Sequence, residues 1–324
     1  MSNENISLQM RQRPGQAVIT AQTIVTADGP RHYLMATPRK QNANLRPLVI
    51  ILHGAGASAA QVMGLAFPVS PLSVWLEIAE REQLLVVAPD GSKKGWNDSF
   101  AHVRNKPETD DTGMIRGLIE HMIQTHEADP QRVYVIGVSK GGMMAYRLAT
   151  ELGAMLAAFA SVLANMPQQS VCAAPVTPIS ALIVASTRDP LVPYGGGKYF
   201  YTPLLSPMKS INDTVDIWRT LANLPATGKS VDIPKSAASN PTSCTRITWG
   251  DNPEQLQVVL LRINGGGHAE PSRSQFYPWF LSRLVGAQNT DIDIAEEAWA
   301  FFKDKRCKDA GGNSRPETTS GENK

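Results

Sequence analysis

Three residues, far apart in the sequence, have the types needed for nucleophilic chemistry on a carbonyl carbon: Ser139, Asp189 and His268. Ser139 is the middle of Gly137-Val-Ser139-Lys140-Gly141. A serine alcohol is a poor nucleophile near neutral pH unless a base takes its proton, an acid orients that base, and N–H donors hold the oxyanion that forms. Where such a serine sits on a sharp strand-to-helix corner, its partners follow in the chain order serine, acid, histidine. Of the six histidines, His32, His53, His102, His121 and His126 precede Ser139, so only His268 satisfies that order. It follows Gly265-Gly-Gly at the end of an apolar run, where an exposed imidazole is expected. Asp189 is the expected acid, because it follows another apolar run and Pro190 stiffens its loop. Its rivals are Asp213 and Asp216, inside a helical pattern, and Asp232 in a polar loop. The expected oxyanion donors are the backbone amides of Lys140 and of Ala55 or Gly56, after the His53-Gly54 run. Gly54, Gly56 and Trp96 are expected to border the substrate, although Trp96 serves equally well as a plug for its loop. His53 reads as a packing residue bonded to main chain, and Asp110-Asp111 as a helix cap.

The elements that must carry these groups follow from periodicity. Val133 to Val138 is a β-branched, apolar run of the kind that forms a buried parallel strand, and Met144 and Leu148 open a helical pattern directly after the serine. Further buried strands are expected at 47–52, 84–89, 157–163, 181–186, 245–249 and 256–262. Residues 17–26 and 31–36 flank Ala27-Asp28-Gly29-Pro30 and read as an antiparallel hairpin. Helices are expected at 72–83, from Asp110 to Asp129, after Ser139, and at 211–224, 274–284 and 292–305, with 225–241 as loop. Alternating strands and helices call for one doubly wound, mostly parallel α/β sheet with the hairpin at its edge. The organisation expected is a flexible 1–15, a single catalytic domain over 16–306 with 198–243 as a small cap or lid, and a disordered tail over 307–324.

Bulk composition excludes other classes. With 31 basic and 29 acidic residues the net charge is only +2, which offers no nucleic-acid or membrane surface. Hydrophobic content of 42% and charged content of 19% are those of a globular protein with a sizeable core. Cys172, Cys244 and Cys307 are too few and too scattered for a disulfide framework or a zinc site, and no metal or cofactor is called for. The first twenty residues lack the apolar core of a signal peptide. The expectation is a cytoplasmic chain, or a secreted or periplasmic one if already processed.

Several segments, in order, resemble esterases of the family that includes polyhydroxybutyrate depolymerases and feruloyl esterases. They are Pro47 to Ser58, Trp96-Asn97-Asp98, Asp110-Asp111-x-Gly113, Asp129-Pro-x-Arg132-Val-Tyr, Asp189-Pro-Leu-Val-Pro-Tyr-Gly-Gly, Gly265-Gly-Gly-His268 and Asp291 to Phe302. The resemblance implies an α/β-hydrolase fold and cofactor-free hydrolysis of carboxylic esters, and it carries the triad onto Ser139, Asp189 and His268. The chain departs from the pattern at Lys140, where relatives often have Ala or Asn and where the ammonium is expected near the pocket mouth. It also has Ala269-Glu270-Pro271 where relatives often carry Thr-Trp-Pro, and so lacks that aromatic side chain. The function expected is a serine esterase acting on short-chain, hydroxyalkanoate or hydroxycinnamate esters, small or oligomeric. The alternatives are a peptidase or acyltransferase on the same scaffold, or a non-catalytic binding protein.

Overall fold

The computed structural model describes residues 14–40, 44–92, 95–101, 108–197 and 207–307. The expected flexible start (1–13), His102, residues 198–206 of the expected cap and the tail from 308 lie outside the described residues.

Among the described residues, ten strands form one sheet: β1 (Val18–Thr26), β2 (Gly29–Thr37), β3 (Arg46–Leu52), β4 (Leu85–Pro89), β5 (Ala128–Val138), β6 (Ala158–Val162), β7 (Ser180–Ser186), β8 (Lys229–Ile233), β9 (Ser243–Trp249) and β10 (Val258–Asn264). Their spatial order is β1-β2-β4-β3-β5-β6-β7-β10-β9-β8. The six strands from β4 to β10 in that order run parallel, while β1 and β2 at one edge and β9 and β8 at the other are antiparallel. Successive side chains of a strand point to opposite faces, so the parallel strands must be apolar at every position to be covered on both sides. β3 meets that demand. Leu48, Ile50 and Leu52 join one core and Val49 and Ile51 the other.

Helices cover the two faces in turn. Ala59–Val62 (α1), Trp75–Glu82 (α2) and Ile294–Phe302 (α7) feed the second core, whereas Asp111–Thr125 (α3), Lys140–Glu151 (α4) and Ile211–Leu221 (α5) feed the first. The remaining α-helix of the described residues, Trp279–Val285 (α6), buries none of its residues; Trp279 and Leu284 are exposed. This is the α/β-hydrolase fold.

Three expectations change. Residues 225–241 are not all loop, because Lys229–Ile233 adds the edge strand β8. Its first four residues are exposed, so no apolar alternation marks it. The helix expected over 274–284 starts only at Trp279, since Pro278 is the N-cap and disfavours helical geometry before it. In the described part of 198–243, α5 lies on β7 and β10 with Trp218 fully buried, and β8 extends the sheet. α5 and β8 therefore belong to the main layers. No disulfide joins the three cysteines.

Candidate active site

The corner after β5 is set by backbone sterics. Ser139 has φ 53° and ψ −118°, a left-handed geometry that a non-glycine residue adopts only under constraint. Its amide donates to the Val162 carbonyl (2.8 Å), and its carbonyl accepts from Met143 at the start of α4. A Cβ at Gly137 would strike the Gly141 carbonyl, and one at Gly141 would strike that of Leu52, so both positions of the five-residue motif must be glycine. The strain holds the serine side chain clear of both elements.

The loop after β10 brings His268 to that side chain. His268 Nε2 lies 2.9 Å from Ser139 Oγ, and Nδ1 lies 2.7 Å from Asp189 Oδ2. A carboxylate only accepts, so the ring proton resides on Nδ1 and Nε2 is left to accept from the serine hydroxyl. The other oxygen, Asp189 Oδ1, accepts from the amides of Leu191 (2.7 Å) and Val192 (2.8 Å), and the Asp189 side chain is almost fully buried. His268 is fixed from behind by its amide, which donates to the Val285 carbonyl at the end of α6. Thus Ser139, Asp189 and His268 come together. The rivals do not: Asp213 closes a capping box with Ser210, Asp216 pairs with Arg219, and Asp232 accepts from Thr245.

A cavity of about 340 Å³ opens at Ser139 and His268. Gly54, Ala55, Gly56 and Ala57 form one wall, Val62, Leu191, Leu281 and Val285 supply apolar surface, and Ser70, Glu270 and Tyr277 a polar one. Gly54 and Gly56, expected to border the substrate, are among the residues that line the cavity.

Trp96 is not. It is fully buried, donates its indole N–H to the His53 carbonyl (2.8 Å) and packs 4.9 Å from the His53 ring. It plugs its loop and is not among the described residues that line the cavity. His53 Nε2 accepts from the Gly91 amide (2.9 Å), which leaves its proton on Nδ1 to donate to the Gly54 carbonyl (2.8 Å). Burial lowers the His53 pKa and favours that neutral form. Because a trans peptide points its C=O and N–H in opposite directions, fixing the Gly54 carbonyl also fixes the aim of the Ala55 amide.

The Lys140 ammonium likewise departs from expectation. It turns away from the mouth to pair with Asp98 Oδ2 at 2.5 Å, over the Phe100 ring, and Asp98 is fully buried. Its backbone amide is at the first position of α4, where no carbonyl of the preceding turn is available to it. Asp110 caps α3 through the Gly113 amide, and Asp111 pairs with Arg31 at 2.9 Å.

Sequence reasoning missed the polar wall. Glu270 Oε1 accepts from Ser70 Oγ (3.0 Å) and Oε2 from the Tyr277 hydroxyl (2.6 Å). Burial, and then the adjacent Glu270 charge, push the Tyr277 pKa upward, which keeps the phenol protonated and donating. Among the described residues no group of three or more His, Cys, Asp or Glu side chains could hold a metal ion, and no helix is long and apolar enough to cross a membrane.

A family model described as phospholipase/carboxylesterase matches residues 36–222, the span that carries Ser139 and Asp189. NocK of Nocardia uniformis subsp. tsuyamanensis, an esterase by name, is 30% identical over 307 residues, which is 90% of this chain and 85% of NocK. The bifunctional acetylxylan esterase/xylanase XynS20E of Neocallimastix patriciarum is 24% identical over 199 residues, 61% of this chain and 26% of that protein. Among solved structures, the acetyl xylan esterase from Aspergillus awamori matches with a TM-score of 0.57 at 15% identity, over 88% of this chain and 99% of that one, a likeness of fold.

Proposed function

Because the chain belongs to the phospholipase/carboxylesterase family and is a serine esterase of the α/β-hydrolase fold, we propose that Ser139 is its nucleophile, His268 its general base and acid, and Asp189 the carboxylate that orients His268. The observation that carries this reading is the continuous hydrogen-bonded line Ser139–His268–Asp189 at the mouth of the cavity.

Ser139 Oγ attacks the ester carbonyl carbon as its proton passes to His268 Nε2. The tetrahedral oxyanion accepts from the amides of Ala55 and Lys140, dipoles already aimed before charge develops there. Collapse breaks the ester C–O bond, and the departing alcohol takes the proton from His268. Water then adds to the acyl-enzyme with His268 as base again, and the acid leaves with Ser139 restored. Asp189 remains ionised throughout, held by two backbone amides, and stabilises the transient imidazolium.

The substrates we propose are compact esters with short acyl groups. A 340 Å³ cavity sits at the lower end of the range for small-molecule sites, and XynS20E carries acetylxylan esterase in its name. Hydroxyalkanoate and hydroxycinnamate esters are the second reading. The test is one hydrolysis panel on wild type and Ser139→Ala: acetate to octanoate p-nitrophenyl esters, methyl ferulate, soluble 3-hydroxybutyrate oligomers, and matched amides. The short esters should be cleaved best and lost with the serine. Preference for ferulate or hydroxybutyrate would move the substrate assignment, and preference for amides would point to a peptidase.

A further inference from the structure

Among the described residues that line the cavity, Glu270 is the one carboxylate and none is a lysine or arginine. Glu270 is only 4% exposed. A carboxylate buried without a cation is costly unless donors satisfy it, and two uncharged donors do so here. Ser70, which also accepts from the Leu72 amide, bonds one oxygen, and Tyr277 bonds the other. The backbone is pinned as well, because Gln288 donates to the Glu270 carbonyl at 2.7 Å. An ionised carboxylate has about four acceptor positions. Ser70 and Tyr277 occupy two, which leaves acceptor capacity, with no lysine or arginine among the described lining residues, in the wall of the cavity that holds the reacting serine.

Building on the esterase site proposed above, we propose that Glu270, held by Ser70 and Tyr277, is a specificity-determining residue that admits uncharged esters, favours those presenting a hydroxyl or ammonium donor, and rejects esters bearing a second carboxylate. An anionic substrate must give up hydration to enter the cavity and meets no cation among the described residues that line it. The free lone pairs of Glu270 suit a hydroxyl such as that of a sugar or hydroxy acid. Once deacylation releases a carboxylate, the same charge drives the product out.

The experiment compares kcat/KM for p-nitrophenyl butyrate and mono-p-nitrophenyl glutarate, which carries a carboxylate on a similar chain, on wild type, Glu270→Gln and Glu270→Asp. Wild type should favour the butyrate by about tenfold or more, the scale expected for like charges a few ångströms apart in a partly buried site. Glu270→Gln should narrow that ratio by about the same factor, and Glu270→Asp, which keeps the charge, should retain it. A folded Glu270→Gln with an unchanged ratio overturns the proposal. So does a wild type that takes both esters within about threefold of each other, a measurement that needs no variant to fold. Failure of wild type to cleave either ester, or cleavage that survives Ser139→Ala, counts instead against the esterase site itself.

Discussion

His268 Nε2 stands 2.9 Å from Ser139 Oγ although 129 residues separate them in the chain. Two independent pieces of backbone geometry produce that distance. The left-handed corner at Ser139 lifts its side chain above β5, and the Gly-rich turn after β10 drops His268 over it while α6 grips the histidine amide. β5 and β10 are not neighbours in the sheet; β6 and β7 lie between them. The catalytic line therefore depends on four parallel strands keeping register.

Asp189→Asn should lower kcat by roughly 10⁴ while leaving thermal stability near that of wild type. The amide side chain still accepts from Leu191 and Val192, but it no longer dictates which His268 nitrogen carries the proton. Steady-state kinetics beside Asp213→Asn and Asp216→Asn check this. A comparable loss at either of those, with Asp189→Asn active, would move the orienting acid elsewhere.

Lys140→Met should destabilise the fold by about 3–5 kcal/mol, because it strands the Asp98 carboxylate in a fully buried position. Urea unfolding measures this, and adding Asp98→Asn should recover most of the loss. The butyrate-to-glutarate ratio should stay at the wild-type value, since the ammonium does not face the cavity. A ratio that shifted toward the neutral ester would put the Lys140 charge back at the mouth.

Lys305 gives a pH-dependent stability. Burial lowers its pKa to about 8, against about 10.4 for an unperturbed lysine. Between those values the unfolded chain holds the proton that the folded chain has lost, so stability rises with pH across the window; below pH 8 both states are protonated and the full penalty stands. Relative to Lys305→Met, wild type should gain about 2–3 kcal/mol between pH 8 and 10.5, read from urea midpoints at each pH. A flat difference would mean that the ammonium is well accommodated by the Gln257 side chain it donates to.

Much of this architecture is legible in the sequence, for identifiable reasons. A strand buried on both faces must be apolar throughout, which is why 47–52, 133–138 and 181–186 stand out. The corner at Ser139 adds two glycines that no other residue replaces, and chain order leaves His268 as the one histidine after the serine. What escapes is whatever depends on distant residues meeting. Ser70 and Glu270 lie 200 positions apart and share no pattern. The direction of the Lys140 ammonium is decided by Asp98, and the burial of Trp96 by the His53 carbonyl and ring, neither of which has a periodic signature. β8 escapes because an exposed edge strand needs no apolar face.

The central claim is that Ser139 forms the acyl-enzyme with His268 as its base. The most direct measurement is reaction with a fluorophosphonate followed by peptide mass mapping, on wild type, Ser139→Ala and His268→Ala. The account predicts a single adduct on the peptide containing Ser139 in wild type, none in Ser139→Ala, and labelling slowed by several orders of magnitude in His268→Ala, all three proteins being folded. An adduct on another residue, or unimpaired ester hydrolysis by pure Ser139→Ala, would contradict it.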